Sequence, residues 1–281
     1  MLGLVLEGGA MRAIYTAGVL DVFMEEGIRP DGLIGVSAGA IHGSVYIGEQ
    51  PGRTIRYYKK YCRHKNFMSF YSLLTTGSMV GEQFCYHDLP DRLDPFDYDT
   101  FAQSPIAYHL VCTDLETGKA VYRRCTDLHQ EMDYMRASAS MPYVSRIVEI
   151  DGQKLLDGGV ADSIPIEAFR QMGYQRNIVV LTQCAGYRKK PQKPTLAKLF
   201  YRKYPNFIET LTNRHQIYND TLDRIEQLQK SGEIFLIRPS EDLGIKRVEK
   251  DPAHLEAQYN LGRKDALAAL NDLKKWMNAH E

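Results

Sequence analysis

A serine at a sharp bend is the first residue here whose setting could do chemistry. Gly35-Val36-Ser37-Ala38-Gly39 is a G-x-S-x-G sequence. The apolar run Gly32 to Val36 reads as a buried strand, and the small residues from Ala38 to Ile47 read as a helix. Ser37 therefore falls at a strand-to-helix junction, where such a sequence carries its hydroxyl exposed on a strained turn. Gly35 and Gly39 leave out side chains that would collide across that turn. The first N–H groups of the following helix favour negative charge developing at the serine. A tight turn with a capping serine is the plainer alternative.

Two more stretches could serve that serine. Gly8-Gly9-Ala10-Met11-Arg12 also follows an apolar run, Gly3 to Leu6, and opens a helical pattern. The N–H groups of such a turn can cradle an anion. If the two strands are parallel neighbours, both turns reach the same carboxyl edge and this one can act as an oxyanion hole. A dinucleotide phosphate loop is the rival reading, but GGAMRA lacks the later glycines of G-x-G-x-x-G. Arg12, in the first helical turn, is placed to pair with a substrate phosphate or an acidic side chain. Asp157-Gly158-Gly159 ends another strand, where a carboxylate can project and backbone can approach closely. D-G is also a common turn dipeptide, so this motif gains weight only beside the others.

A serine hydroxyl is a weak nucleophile until a base takes its proton. His42 is the nearest histidine, yet five helical positions from Ser37 carry it about 500° around the helix, away from the hydroxyl. It reads as a packed or partly exposed helix residue. His215 and His254 could complete a Ser-His-Asp triad, but both lie in the C-terminal region, away from the expected strand ends.

The elements that must position these residues follow a βαβα order, which implies a parallel sheet with crossover helices. Beyond it, residues 51–99 lack clean periodicity and read as irregular helices. Their aromatic part, Phe67 to Phe84, suits a cleft wall or lid. Ile106–Thr113 and Ala120–Arg124 read as two strands, 131–140 as a helix, and Ile147–Ile150 with Lys154–Leu156 as a hairpin. Ile164–Met172 is helical and Ile178–Thr182 a buried strand. Residues 187–207 carry seven Lys/Arg, no acid and three prolines, as in a linker. A long helix over 208–230, a strand at Ile234–Ile237 and a closing helix over 253–277 follow.

Composition narrows the classes. Lys+Arg and Asp+Glu balance at 35 each over 281 residues, so no global field draws nucleic acid. Five scattered cysteines form no C-x-x-C pair, which argues against a disulfide framework or zinc site and suits a reducing compartment. No apolar run nears the roughly 18 residues of a membrane span. The start lacks a basic signal-peptide region. These features point to a cytoplasmic protein.

Taken together, strand, EGGAMR, helix, GVSAG, helix and a later DGG resemble the patatin-like phospholipase family, over roughly Gly3 to Thr182. LDGGVADSIPIE (156–167) and ASASMP (137–142) are similar to further family stretches, and the match is closest to a bacterial branch with a distinct C-terminal region. The resemblance implies a Ser-Asp dyad, Ser37 with Asp157, and an oxyanion hole at Gly8 to Arg12. It also implies hydrolysis of lipid acyl esters through an acyl-enzyme, with neither metal nor cofactor. Where the family usually has a third glycine, this chain has Ala10. The fold expected is a three-layer α/β sandwich with a mostly parallel sheet over residues 1–190 and a mainly helical region over 191–281. The elbow would sit at the carboxyl edge. The basic-aromatic run 188–203 is a candidate contact for anionic membrane surfaces. A phosphate-binding regulatory protein without catalysis is the remaining alternative.

Overall fold

The computed structural model describes residues 1–279; residues 280 and 281, the end of the expected C-terminal region, lie outside it. The chain opens with β1 (Leu2–Leu6), a 3-10 turn (Ala10–Ala13), α1 (Ile14–Glu25), β2 (Gly32–Val36) and α2 (Ala38–Ile47). The segment expected to be irregular holds α3 (Arg53–Tyr61), α4 (Phe70–Thr76), a π-helical stretch (Phe84–Leu93) and α5 (Tyr98–Gln103). Then come β3 (Ala107–Asp114), β4 (Ala120–Cys125), α6 (Met132–Ser138), β5 (Val148–Ile150), β6 (Gln153–Asp157), α7 (Ile166–Gln171) and β7 (Arg176–Val180). The C-terminal part adds α8 (Thr195–Phe200), α9 (Pro205–Lys230), β8 (Ile234–Ile237) and α10 (Pro252–Asn278).

One eight-stranded mixed sheet results, in the order β5-β6-β3-β2-β1-β7-β8, with β4 also paired to β3. The run β3-β2-β1-β7-β8 is parallel, while β4 and the β5–β6 hairpin are antiparallel. Alternate residues of the central strands feed two cores, as the two-residue strand period requires. Leu4, Leu6, Leu33, Leu110, Ile178 and Val180 pack with α1, α2 and α10. Val5, Ile34, Val36, Val111 and Val179 pack with α7 and α9. Both faces are covered, which is why these strands read as unbroken apolar runs. The C-terminal part is built into this core: β8 extends the sheet from β7.

The sheet also settles which strand ends meet. β3 pairs with β4 along residues 108–113, so its other side carries β2 and then β6. Val36 of β2 registers with Val111, and Asp157 of β6 registers with the very next residue, Cys112. β2 runs parallel to β3 and β6 antiparallel to it, so the two strands run head to head. Their carboxyl ends converge where Ser37 and Asp157 lie.

Candidate active site

Ser37 caps α2 with φ 55° and ψ −124°, a conformation rare for any side-chain-bearing residue. The flanking glycines permit the turn. A Cβ at Gly35 would lie 2.6 Å from the Ala40 Cα, and one at Gly39 would lie 2.6 Å from the Glu7 carbonyl oxygen. The turn is braced from α6: the Ser37 N–H donates to Ser138 Oγ at 3.0 Å, and that hydroxyl donates to the Val111 carbonyl at 2.7 Å. Ser37 is only 7% exposed, so its hydroxyl does not stand open at the surface as the sequence suggested. Residues of 51–99 and the loop at 141–144 wall the clefts that reach it.

Asp157 is equally buried, at 6% exposure. Its N–H donates to the Ser140 carbonyl at 2.9 Å, so the end of β6 is tied to the same α6 corner as Ser37. One carboxylate oxygen accepts the Gly159 N–H at 2.7 Å, across the turn that Gly158 begins. Burial pushes the Asp157 carboxyl above the ordinary aspartate range. The Arg214 charge, the Gly159 N–H and then the Ser37 hydroxyl draw it back down. Arg214, on α9, donates through Nε to the Gly159 carbonyl. Neither Ser138 nor Arg214 was singled out from the sequence. Ser138 lay unremarked within the quoted ASASMP, and Arg214 is one cation among many on a long helix.

The Gly8 turn abuts the serine, since a Cβ at Gly8 would lie 3.1 Å from the Ser37 Cβ. Its donors are fewer than expected. The Met11 N–H is engaged by the Arg247 carbonyl at 3.3 Å, and the Arg12 N–H turns back to the Gly9 carbonyl at 3.2 Å. Met11 and Arg12 therefore drop out as backbone donors. The N–H groups of Gly8, Gly9 and Ala10 have no backbone acceptor among the described residues. Ala10 holds a positive φ of 49°, so the alanine in the usual glycine position is strained.

No histidine among the described residues lines the junction of Ser37 and Asp157. His42 is buried among aromatic rings, edge-on to Tyr58 at 5.8 Å, and burial drives its pKa down to about 3. His215 bonds within its own helix to the Thr212 carbonyl, and His254 pairs with Glu249. Among the described residues, no histidine lines either cleft that reaches Ser37.

Those clefts differ sharply. One is walled by apolar groups including Ile41, Phe67, Met68, Tyr86, Leu89 and Met135. The aromatic segment expected as a cleft wall supplies Phe67, Met68 and Val80, while Phe70, Tyr71 and Leu74 on α4 are exposed. The other cleft is lined by Glu7, Arg12, Asp157, Lys189, Lys193, Arg214 and Arg247, with the Gly8 turn at its inner end. Ser37, Ala10 and Met141 border both. No helix among the described residues is long and apolar enough to cross a membrane.

Comparison with known proteins agrees with the fold. The sequence profile described as Patatin-like phospholipase matches residues 4–170, and one described as a domain of unknown function (DUF6363) matches residues 204–278. The Escherichia coli protein YjjU is 28% identical over 280 residues, 93% of this chain and 75% of its own length. An NTE family protein of Mycobacterium tuberculosis is 27% identical over 58% of this chain and 44% of its own. Neuropathy target esterase sws of Drosophila melanogaster is 26% identical over 64% of this chain, which spans 13% of that protein.

Proposed function

Because this chain belongs to the patatin-like phospholipase family, a family of lipid hydrolases, we propose that it cleaves carboxylic esters of lipids with Ser37 as nucleophile and Asp157 as base. The observation that carries the reading is the head-to-head convergence of β2 and β6 on β3, at the meeting point of an apolar and a cationic cleft.

In this mechanism the acyl chain occupies the apolar cleft and the ester carbonyl carbon faces Ser37 Oγ. Asp157 accepts the hydroxyl proton as Oγ attacks. The oxyanion is held by the N–H groups of Gly8, Gly9 and Ala10, and the N-terminus of α2 adds its dipole. Removing one such donor is typically worth about 10²- to 10³-fold in rate. Collapse breaks the ester C–O bond, and the alcohol leaves with the proton from Asp157. Water then attacks the acyl-Ser37 ester, giving a proton to Asp157; Asp157 passes it to the departing Ser37 Oγ as the Oγ–acyl bond breaks, and the carboxylic acid leaves with both residues restored. A carboxylate is a weak base, with an ordinary pKa of about 3.9. Its burial beside Ser37 raises its basicity in the direction the proton transfer needs.

Steady-state hydrolysis of short p-nitrophenyl esters tests this reading. Wild type should turn over, and Ser37→Ala should fall by about 10³-fold or more. Equal rates in the two proteins would remove Ser37 from the mechanism. Peripheral contact with anionic membranes belongs to the same proposal. It is supported by exposed Leu196, Leu199 and Phe200 on α8, within the basic run 188–203. Salt-sensitive sedimentation with anionic vesicles should reveal it, and no binding at low salt would refute it.

A further inference from the structure

The cationic cleft holds more positive charge than the chemistry at Ser37 uses. Arg12, Lys189, Lys193, Arg214 and Arg247 line it, against only two carboxylates, Glu7 and Asp157. Both carboxylates are already occupied. Glu7 accepts the Tyr218 hydroxyl at 2.7 Å and the Thr182 N–H at 2.6 Å. Asp157 is held by Gly159 and by the charge of Arg214. Glu7 offsets part of the Lys189 charge, and the cleft lining holds no further carboxylate for the remaining cations.

Their placement is built, chiefly by the C-terminal part. Leu211, Arg214 and Tyr218 share the face of α9 that lines the cleft. Asn219, the next residue on α9, clamps the Lys189 backbone reciprocally: it accepts the Lys189 N–H at 2.9 Å and donates to the Lys189 carbonyl at 3.0 Å. The Lys189 ammonium is thereby set 3.8 Å from the centre of the Tyr218 ring. Burial, then the nearby Arg214 charge, lower its pKa to about 7; Glu7 opposes the fall, and Arg247 and Arg12 add to it. The cations around Lys189 outnumber the one carboxylate that acts on it. Arg12 contributes a buried Nε that has no partner, while its terminal nitrogens reach the Gln183 amide oxygen, the nearer at 2.9 Å.

We propose that Lys189, Arg247 and the Arg12 guanidinium form a site for the phosphate of an anionic lipid head group, the C-terminal part selecting the substrate through Arg247 and through the α9 contacts that hold Lys189. This rests on the hydrolase reading only for the identity of the reacting ester. A phosphate here lies on the alcohol side of Ser37, opposite the apolar cleft. Several cations favour a phosphomonoester, with its two charges, over a zwitterionic or neutral head group.

Two measurements test it. In the first, kcat/KM is compared for three lipids of one acyl chain: a monoacylglycerol phosphate, its phosphocholine counterpart and the neutral monoacylglycerol. Wild type should favour the phosphomonoester over the neutral lipid by at least about 10-fold. Lys189→Met and Arg247→Gln should each cut that ratio severalfold; Arg247 is an exposed residue, so its variant guards against a folding artefact. In the second, calorimetric titration of Ser37→Ala with glycerol 3-phosphate and with inorganic phosphate reads binding without turnover. Glycerol 3-phosphate should bind more tightly, and Lys189→Met should weaken it by about 10-fold. No preference in hydrolysis, or inorganic phosphate binding as well as glycerol 3-phosphate, would overturn the head-group assignment. Glycerol 3-phosphate binding that depends on Lys189, with no ester turned over, would uphold the anion site while removing the hydrolase reading.

Discussion

Ser37 and Ala10 both lie beyond the carboxyl ends of two neighbouring parallel strands, Ser37 directly after β2 and Ala10 at the start of the 3-10 turn after β1, and both carry positive φ on a residue other than glycine. The reasons for tolerating that strain differ. Ser37 must keep a side chain, because on our reading its hydroxyl is the reacting group. Ala10 contributes only its N–H, which glycine would supply equally well. Strain at the first turn is therefore the condition of function, whereas strain at the second is incidental. The surroundings differ as well: Ser37 is braced by Ser138 and two glycines, while the Gly8 turn is held by longer bonds, from the Met11 N–H to the Arg247 carbonyl, the Arg12 N–H to the Gly9 carbonyl and the Thr182 hydroxyl to the Gly8 carbonyl.

The largest effect expected sharpens this contrast. Ser37→Gly should abolish ester hydrolysis while raising stability by up to about 1 kcal/mol, since relief of strain outweighs the extra freedom of unfolded glycine. Urea unfolding alongside kinetics would show it; a destabilised variant would mean that the turn is not strained. Next, Ser138→Ala leaves the buried Ser37 N–H and Val111 carbonyl without their shared partner. That should cost about 1–3 kcal/mol, with a fall in kcat as the elbow loosens. An unfolding midpoint equal to wild type would deny the brace its role.

A pH profile gives a smaller, directional effect. Burial raises the Asp157 pKa, so the protonated form is favoured in the fold and the base acts only above that raised value. Activity should rise with pH through it. Arg214 pulls the value down, so Arg214→Gln should move the acid limb of kcat/KM to higher pH, and Arg214→Lys should largely restore it. A limb that stays put would show that Asp157 is not the titrating base. The smallest effect belongs to Ala10→Gly, which should keep turnover and gain no more than about 1 kcal/mol. Loss of activity in this variant would show that the strain at Ala10 is needed after all.

Much of this arrangement was legible in the chain, because strand, turn and helix signals are local. Gly32–Val36, Ala38–Ile47 and Ile234–Ile237 have the bounds the pattern predicted. The two glycine turns fall at one sheet edge because parallel neighbours put them there. The donor set differs from expectation at Met11 because the Arg247 carbonyl arrives from 236 residues away, and at Arg12 because its N–H closes the local turn on the Gly9 carbonyl. α3 and α5 were not resolved within a segment read only as irregular helices: α5 is six residues long, and the buried stripe of α3 (Arg53, Thr54, Tyr57 and Tyr58) includes polar residues that an apolar pattern passes over. Lys189, inside a run that reads as a solvated linker, is half-buried against Asn219 and Tyr218, contacts that no local pattern announces. The head-to-head meeting of β2 and β6 is likewise a property of the register on β3, not of either strand alone.

The most direct test traps the covalent intermediate. A fluorophosphonate or a slow ester is reacted with wild type, Ser37→Ala and Asp157→Asn, and the adduct is located by peptide mass spectrometry. The account predicts an adduct on the Ser37 peptide of wild type, none in Ser37→Ala, and formation in Asp157→Asn slowed by about 10³-fold or more. An adduct on another residue, or Asp157→Asn labelling at the wild-type rate, would contradict it.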